Sequence, residues 1–277
     1  MKQDSALPPG PNSPQFVQLA EAILYPLRSL ESHAQRWGDR YTSRLFNVPT
    51  VILSHPTDLQ ALFEADPDCF EVGSTNQLIE PLVGLSSLLL DDAEHRRQRK
   101  LLTPPFHGER LKRYSQSIVQ ITESTIREEI RLGKPFSIRR LAQTISLRVI
   151  LQTVFGVKQG DRYDHLQFHL CKMLDLLDSP ASASFFFVPA LQLDLGLRSP
   201  WGAFLMHRDV IDRLIFDEIA ERKQDADPER GDILALLMNS VDEAGTALTT
   251  QELRDELLTL LLAGHETTAS AMTWALY

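Results

Sequence analysis

This 277-residue chain is short of cysteine, of basic residues and of long apolar runs, and each shortage excludes a class of protein. Its two cysteines, Cys69 and Cys171, lie far apart, with no second thiol or paired histidines at ligand spacing. A zinc ribbon, a CxxC redox site and a disulfide framework are therefore excluded. Free cysteines of this kind indicate a reducing compartment.

Basic residues are outnumbered, with 28 Lys and Arg against 37 Asp and Glu and a formal charge of −9. This charge has the wrong sign for a protein that coats nucleic acid, so no nucleic-acid partner is expected. No apolar stretch reaches the roughly 18 residues that a membrane-spanning helix needs, and the N-terminus lacks the apolar region of a signal peptide. The sequence therefore predicts a cytoplasmic protein with no transmembrane segment.

Helical periodicity dominates the chain, which predicts a mainly α fold with a small β-hairpin near the N-terminus. Four prolines within residues 8–14 predict an extended, proline-rich segment, assigned to residues 1–29, before a helix around Leu30–Trp37. β-Branched residues predict strands at 41–45 and 50–53. Further helices are predicted over 56–65, 92–102, 111–132, 138–155, 163–177, 200–223, 232–241 and 250–277.

The last predicted helix, residues 250–277, carries the most informative pattern. It opens with the capping box Thr249-x-x-Glu252. Apolar residues then lie on every side of the helix, which predicts that it is buried; they are Leu257, Leu258, Leu260, Leu261, Leu262 and Ala263. The polar segment Gly264–Thr268 follows, although further leucines would be energetically more favourable in a buried helix. Because glycine and a buried carboxylate are both unfavourable in a helix interior, we expect this segment to have a function.

Two features of this segment suggest a ligand site, and a third pattern in it is incomplete. Small residues at Ala263 and Gly264 would let a flat or bulky ligand approach the helix, although a packed helix with a flexible glycine is the alternative. The Thr267 hydroxyl can donate to the carbonyl four residues earlier, which bends or opens a helix. His265 begins the metalloprotease pattern H-E-x-x-H, but Ala269 occupies its fifth position, so no metal site is predicted.

A second polar group lies in the helix predicted at 92–102. His95 and Arg99, four residues apart, would project two donors from one face and could clamp the two carboxylates of a ligand. From Glu94 to Arg113, seven Lys or Arg accompany two Glu, which gives a local charge of +5. The alternative interpretation of this stretch is a solvated basic face.

Together these residues resemble the cytochrome P450 family of heme-thiolate monooxygenases. Ala263–Thr268 matches the family pattern (A/G)-G-x-(D/E)-T-(S/T), and His95-x-x-x-Arg99 before Pro104-Pro105-Phe106 is similar to the helix that binds the heme propionates. The order of elements also agrees. The resemblance implies a cytochrome P450 fold, heme b as the cofactor, and an oxidoreductase that inserts one oxygen atom of O2 into an apolar organic substrate.

The resemblance also implies roles for individual residues. Ala263-Gly264 would border the oxygen site, Thr267 would hold the bound oxygen group or its water, and Glu266 would help to deliver protons. His95 and Arg99 would neutralise the heme propionates.

The resemblance also implies which residues contact the substrate and which proteins donate electrons. Substrate contacts would come from residues 71–90, from residues 179–197 with Phe185–Phe187, and from Leu260 or Leu261. A ferredoxin or a flavoprotein reductase would donate electrons and would dock on the basic residues.

Two family motifs are not found: no E-x-x-R helix follows the long helix in these 277 residues, and the cysteine loop F-x-x-G-x-R-x-C-x-G that supplies the axial thiolate is absent. Neither Cys69 in DPDCFEV nor Cys171 in FHLCKML matches that loop, so no metal ligand is predicted. We therefore expect the N-terminal part of such an enzyme, truncated within the long helix, with residues 30–277 as a partial catalytic domain that is inactive alone. The alternative is a heme-free helical binding or regulatory protein derived from the same fold.

Overall fold

A computed structural model describes residues 7–46, 48–131, 133–157, 159–178, 185–186, 188–225, 227 and 230–277. The chain forms two compact units, residues 1–70 and residues 71–277. Helices predominate, and the described residues contain one two-stranded sheet, which confirms the predicted fold class. No helix in the described part of the chain combines the length and the hydrophobicity needed to cross a bilayer.

The described residues of the first unit form a hairpin and three α-helices. The strands are antiparallel, with Arg40 opposite Leu53, and the helix after the hairpin begins where the His55 ring accepts a hydrogen bond from the Thr57 amide (3.2 Å). Both strands lie where the β-branched pattern predicts them. The elements are α1 (Gln15–Leu24), α2 (Pro26–Trp37), β1 (Arg40–Phe46), β2 (Val48–Leu53) and α3 (Pro56–Glu64).

Helix α1 corrects the prediction of an extended segment up to residue 29. The extended chain lasts only to Pro14, after which the backbone turns into the helix. Gln18 on this helix is only 1% exposed. Its burial is compensated by hydrogen bonds, because its side-chain amide donates to the Ser13 carbonyl (2.7 Å) and accepts from Ser43 Oγ and the Arg44 amide (2.9 Å each). Because prolines flank this segment, its sequence does not indicate a helix. Contacts with strand β1 stabilise helix α1.

The second unit contains the remaining helices in the predicted order. Most ends fall within three residues of prediction, and two one-turn helices, α4 and α5, lie within residues 71–90, where no helix was predicted. The helices are α4 (Gly73–Asn76), α5 (Glu80–Val83), α6 (Asp92–Leu102), α7 (Glu109–Glu129), α8 (Ile138–Thr153), α9 (Asp161–Asp178), α10 (Pro200–Gln224), α11 (Ile233–Met238) and α12 (Thr250–Leu276).

Helix α12 lies in the middle of the second unit's core. It packs most extensively against α8, while α9 packs against α10. Leu257, Leu258 and Leu261 have no exposed surface, which confirms the predicted buried helix. Each fully buried leucine contributes about 1.5–3 kcal/mol, so this apolar run fixes the position of the polar segment that follows it.

Candidate functional site

The polar segment of α12, Gly264–Thr268, begins where the helix is no longer buried on all sides. Ala263 and Thr267, four residues apart on one face, are both exposed, whereas the helix is largely buried from Leu253 to Leu261. The Thr267 hydroxyl donates to the Ala263 carbonyl, as the sequence predicts. The helix nevertheless continues without interruption from Thr250 to Leu276, so this bond does not break it.

Gly264 lies against helix α8. A Cβ atom at this position would lie 3.3 Å from Ile150 Cδ1, a separation too short for comfortable packing. Ser146 Oγ, also on α8, lies 3.2 Å from the carbonyl oxygens of both Gly264 and His265. The close approach of α8 and α12 therefore explains the glycine at position 264. Of the two small residues, Ala263 and Gly264, only Ala263 is exposed.

The Glu266 carboxylate is also held by α8. Gln143 Nε2 donates to its Oε1 (2.9 Å) and Arg139 Nη2 lies 3.4 Å from its Oε2. On the helix itself, His265 Nε2 lies 3.4 Å from Glu266 Oε1, and the His265 side chain is only 5% exposed. The sequence prediction missed Gln143 and Arg139, whose only local signal is their spacing of four residues on a predicted helix.

A polar pocket of about 470 Å³ reaches Glu266 and His265 from solvent. It lies between α7, α8, α9 and α12, and both acidic and basic side chains line it. Glu266 therefore has access to water on the side of α12 that packs against α8. The charged residues of the lining are Glu129, Arg140, Arg148, Asp175 and Glu266.

His95 and Arg99 lie together on α6, as their spacing predicts. Both side chains are exposed, and neither makes a hydrogen bond or an ion pair to any residue that the structure describes. Their neighbours Arg97 and Gln98 point to another partner, the Glu252 carboxylate at the start of α12 (2.7 and 3.4 Å). The two donors thus remain available to an anionic ligand.

The predicted basic stretch is partly neutralised. Arg97 Nε binds Asp242 (2.7 Å), and Lys100 Nζ binds Glu243 (2.8 Å). The hydrogen bond from Arg97 lowers the pKa of the Asp242 carboxyl, so this pair stays charged at neutral pH. The surface near α6 is therefore less basic than the local count of +5 suggests.

The predicted substrate segments divide into core and surface. Phe185 and Phe186 are buried against Trp201 and Phe204, with ring centroids 5.2–6.3 Å apart, and Leu261 is fully buried. The side chains of Phe185, Phe186 and Leu261 therefore belong to the core of the second unit. Residues 179–184 and 187 lie outside the described residues. The exposed large apolar side chains of the predicted segments are Val72, Leu85, Leu88, Leu191, Leu193, Leu195 and Leu197.

The donor set fits a flat cofactor with two carboxylates, such as the heme that the resemblance implies. A small residue, Ala263, leaves one face of α12 open, and His95 with Arg99 offers two unshared donors. An iron ligand is not evident, since both cysteines are free and exposed, and neither lies on α6 or α12. The described residues also contain no cluster of three or more metal-binding side chains.

Known proteins resemble this chain along nearly all of its length. The family model for cytochrome P450 matches residues 8–277. The chain is 35% identical over 273 residues to a Mycobacterium bovis protein named cytochrome P450 135B1 and 32% identical over 280 residues to the Mycobacterium tuberculosis protein named cytochrome P450 135A1. These matches cover 98% and 99% of this chain but 56% and 60% of the relatives.

A solved structure shows the same fold. The cyanobacterial CYP120A1 with bound retinoic acid matches 96% of this chain with a TM-score of 0.72 at 21% sequence identity. The match covers 58% of that protein. This chain therefore spans rather more than half the length of the relatives it resembles.

Proposed function

Because this chain belongs to the cytochrome P450 family, whose members are heme monooxygenases, we propose that it supplies the oxygen-side helix and the propionate-binding helix of such an enzyme. Heme b would supply the O2 and one-electron chemistry. The observation that carries the proposal is the open face of α12, where Ala263 and Thr267 are exposed beside a helix that is otherwise buried.

Thr267 is suited to hold an oxygen-containing group on that face. A threonine hydroxyl has one donor and two acceptor positions. Its donor is used by the Ala263 carbonyl. Its oxygen therefore accepts a hydrogen bond from water or from another O–H group on the exposed side.

Glu266 is suited to carry protons toward Thr267. Its carboxylate lines the polar pocket, where the hydrogen bond from Gln143 fixes its direction. Because Glu266 and Thr267 are adjacent, a water molecule or a side-chain rotation would connect them. Proton transfer by a positioned carboxyl group contributes about 10²–10⁴-fold in rate.

We assign the remaining roles by the same proposal. His95 and Arg99 neutralise the two propionates, an apolar organic molecule and O2 are the substrates, and a ferredoxin or a flavoprotein reductase donates the electrons. The donor would dock on the basic residues near α6.

The test is a heme titration of the chain and of the double variant His95→Ala/Arg99→Ala. A hydrogen bond to a charged group contributes about 1.5–3 kcal/mol, so losing both donors is expected to weaken heme binding at least tenfold. Arg127→Ala removes an exposed arginine that pairs within α7 and serves as the matched control.

Two results would contradict the proposal. One is equal heme affinity of the double variant and the control, and the other is the absence of saturable heme binding by the unmodified chain. Binding of an apolar ligand without heme would favour the alternative, a heme-free helical binding protein.

A further inference from the structure

Helices α9 and α10 carry two histidines that contact each other. Nδ1 of His169 on α9 lies 2.9 Å from Nδ1 of His207 on α10, and the centroids of the two rings are 5.1 Å apart. His207 is 9% exposed, and His169 is partly buried. The two rings therefore form a polar contact within the packing of two helices.

The surroundings of this histidine pair are largely apolar. Leu170 and Met173 on α9 and Ile211 on α10 have no exposed surface. The ring of Phe168 lies beside both histidines, with its centroid 5.2 Å from that of His169 and 6.5 Å from that of His207. Apolar side chains at both positions would join the helices at any pH, whereas a pair of histidines makes the contact depend on protons.

The contact between the two Nδ1 atoms depends on how many protons the rings carry. A neutral histidine has one ring nitrogen that donates and one that accepts. With both rings neutral, or with one of them protonated, a single Nδ1–H lies between the rings and donates to the other Nδ1. When both rings are protonated, each Nδ1 carries a hydrogen, no acceptor remains, and two positive charges face each other.

Both helices place further positive charges near the pair. Burial lowers the pKa of His169, and the charges of His165 and Arg213 lower it further. Burial also lowers the pKa of His207, followed by the charges of His169 and Lys172. All of these groups lie on α9 or α10, and no carboxylate in the described part of the chain contributes to either shift. The charges that act on the pair thus all oppose a second proton.

We propose that His169 and His207 form a pH-sensitive contact between α9 and α10, which holds at neutral pH and opens when both rings become protonated. This inference goes beyond the proposed function, because it involves no heme and no residue of α6 or α12. Opening of the contact weakens the packing of α9 on α10, so the second unit responds to acid through two side chains.

An NMR titration of the histidine ring protons tests the protonation in the chain itself, with no cofactor required. Both rings of the pair are expected to titrate below the ordinary histidine pKa of about 6.5. His169→Gln should raise the midpoint of His207, because it removes one of the charges that lower it. His107→Gln removes an exposed histidine outside both helices and is the matched control. Midpoints at or above the ordinary value would overturn the proposal.

Urea denaturation at pH 7.5 and pH 5.5 tests the contribution of the pair to folding. Because both pKa values are lowered in the folded state, the unfolded chain binds more protons, and stability is lost as the pH falls through the histidine range. The double variant His169→Gln/His207→Gln keeps hydrogen-bonding side chains that do not titrate. On acidification, the ratio of folded to unfolded molecules should fall about tenfold more in the unmodified chain than in this variant.

Comparing two chains at each pH cancels the contributions of the other titrating groups. His107→Gln should follow the unmodified chain at both pH values. An equal fall in the unmodified chain and in the double glutamine variant would overturn the proposal.

The distance between two nitroxide labels tests the opening itself. One label is attached to Cys171 on α9 and the other to Asp217→Cys on α10, two exposed positions, in a Cys69→Ser background. Pulsed electron paramagnetic resonance is expected to show a longer distance at pH 5.5 than at pH 7.5. In the double glutamine variant, the distance should be the same at both pH values. An unchanged distance with both histidines present, or an equal change in the glutamine variant, would overturn the proposal.

Discussion

At the scale of single residues, burial and hydrogen-bonding or ionic partners together determine how the charged side chains of the second unit are compensated. Arg254 is 4% exposed and binds both Asp212 and Asp255, so its charge is compensated twice. Burial raises the pKa of the Asp212 carboxyl in spite of that arginine. Glu256 differs because its compensation comes from Ser87 rather than from a cation. The stability of this region should therefore depend on pH.

Replacing Glu256 with glutamine should remove part of that dependence. Burial raises the pKa of Glu256 in the folded state above its unfolded value, so the folded chain binds more protons in the window above the ordinary glutamate pKa. Stability from this group is therefore lost as pH rises through that window. Urea denaturation at pH 5 and pH 7 should show a larger fall for the unmodified chain than for Glu256→Gln.

At pH 7 the glutamine variant should be at least as stable as the unmodified chain, because its amide oxygen can still accept from Ser87. Glu123→Ala, which changes an exposed carboxylate, should follow the unmodified chain at both pH values. If the unmodified chain instead gained stability relative to Glu256→Gln as the pH rose, the assigned direction of the pKa shift would be wrong.

At the scale of elements, one residue at the start of α12, Glu252, connects this helix to α6. Thr249 Oγ1 accepts from the Glu252 amide (3.1 Å), and Glu252 Oε2 accepts from the Thr249 amide (2.6 Å), which is the predicted capping box. The other oxygen of Glu252 binds Arg97 on α6 (2.7 Å). The cap therefore also orients the helix that carries His95 and Arg99.

Removing the cap should destabilise the second unit. Thr249→Ala is expected to lower the free energy of unfolding by about 1 kcal/mol, measured by urea denaturation. Thr249→Ser keeps the acceptor oxygen and should lose much less. Equal losses in the alanine and serine variants would show that the side-chain cap contributes nothing and that the methyl group matters instead.

The elements also show what local sequence could predict. Helix α12 was predicted from signals within its own residues, namely the capping box and the apolar run, and α6 was predicted at its observed limits. Helix α1 was missed, because Gln18 is satisfied by strand β1 and not by a neighbour in sequence. For the same reason, the contacts of Glu266 with Gln143 and of Glu256 with Ser87 could not be predicted, since they join residues 123 and 169 positions apart.

The candidate site was predicted in part for a related reason. The motif residues Thr267, His95 and Arg99 are exposed, and their side-chain directions follow from helical spacing alone. Gly264 was interpreted as a place for ligand approach, but its observed neighbour is Ile150 on α8. Packing between two helices depends on both surfaces, and one sequence pattern describes only one of them.

At the scale of the whole molecule, the family assignment and the residues of this chain must be considered together. The family implies a heme held by an axial thiolate, which gives the reduced carbon monoxide complex its characteristic Soret band. The chain has two cysteines, of which Cys69 belongs to the first unit and Cys171 to helix α9 of the second. Both are exposed, and neither lies in the family's cysteine-loop pattern.

We therefore expect the 277-residue chain, loaded with heme, reduced and exposed to carbon monoxide, to show no thiolate-type Soret band. Weak heme binding through His95 and Arg99 can still occur, because propionate contacts do not require an axial ligand. Cys69→Ser and Cys171→Ser should leave the spectrum unchanged. A thiolate-type band that disappears in either serine variant would instead identify that cysteine as an iron ligand within this chain.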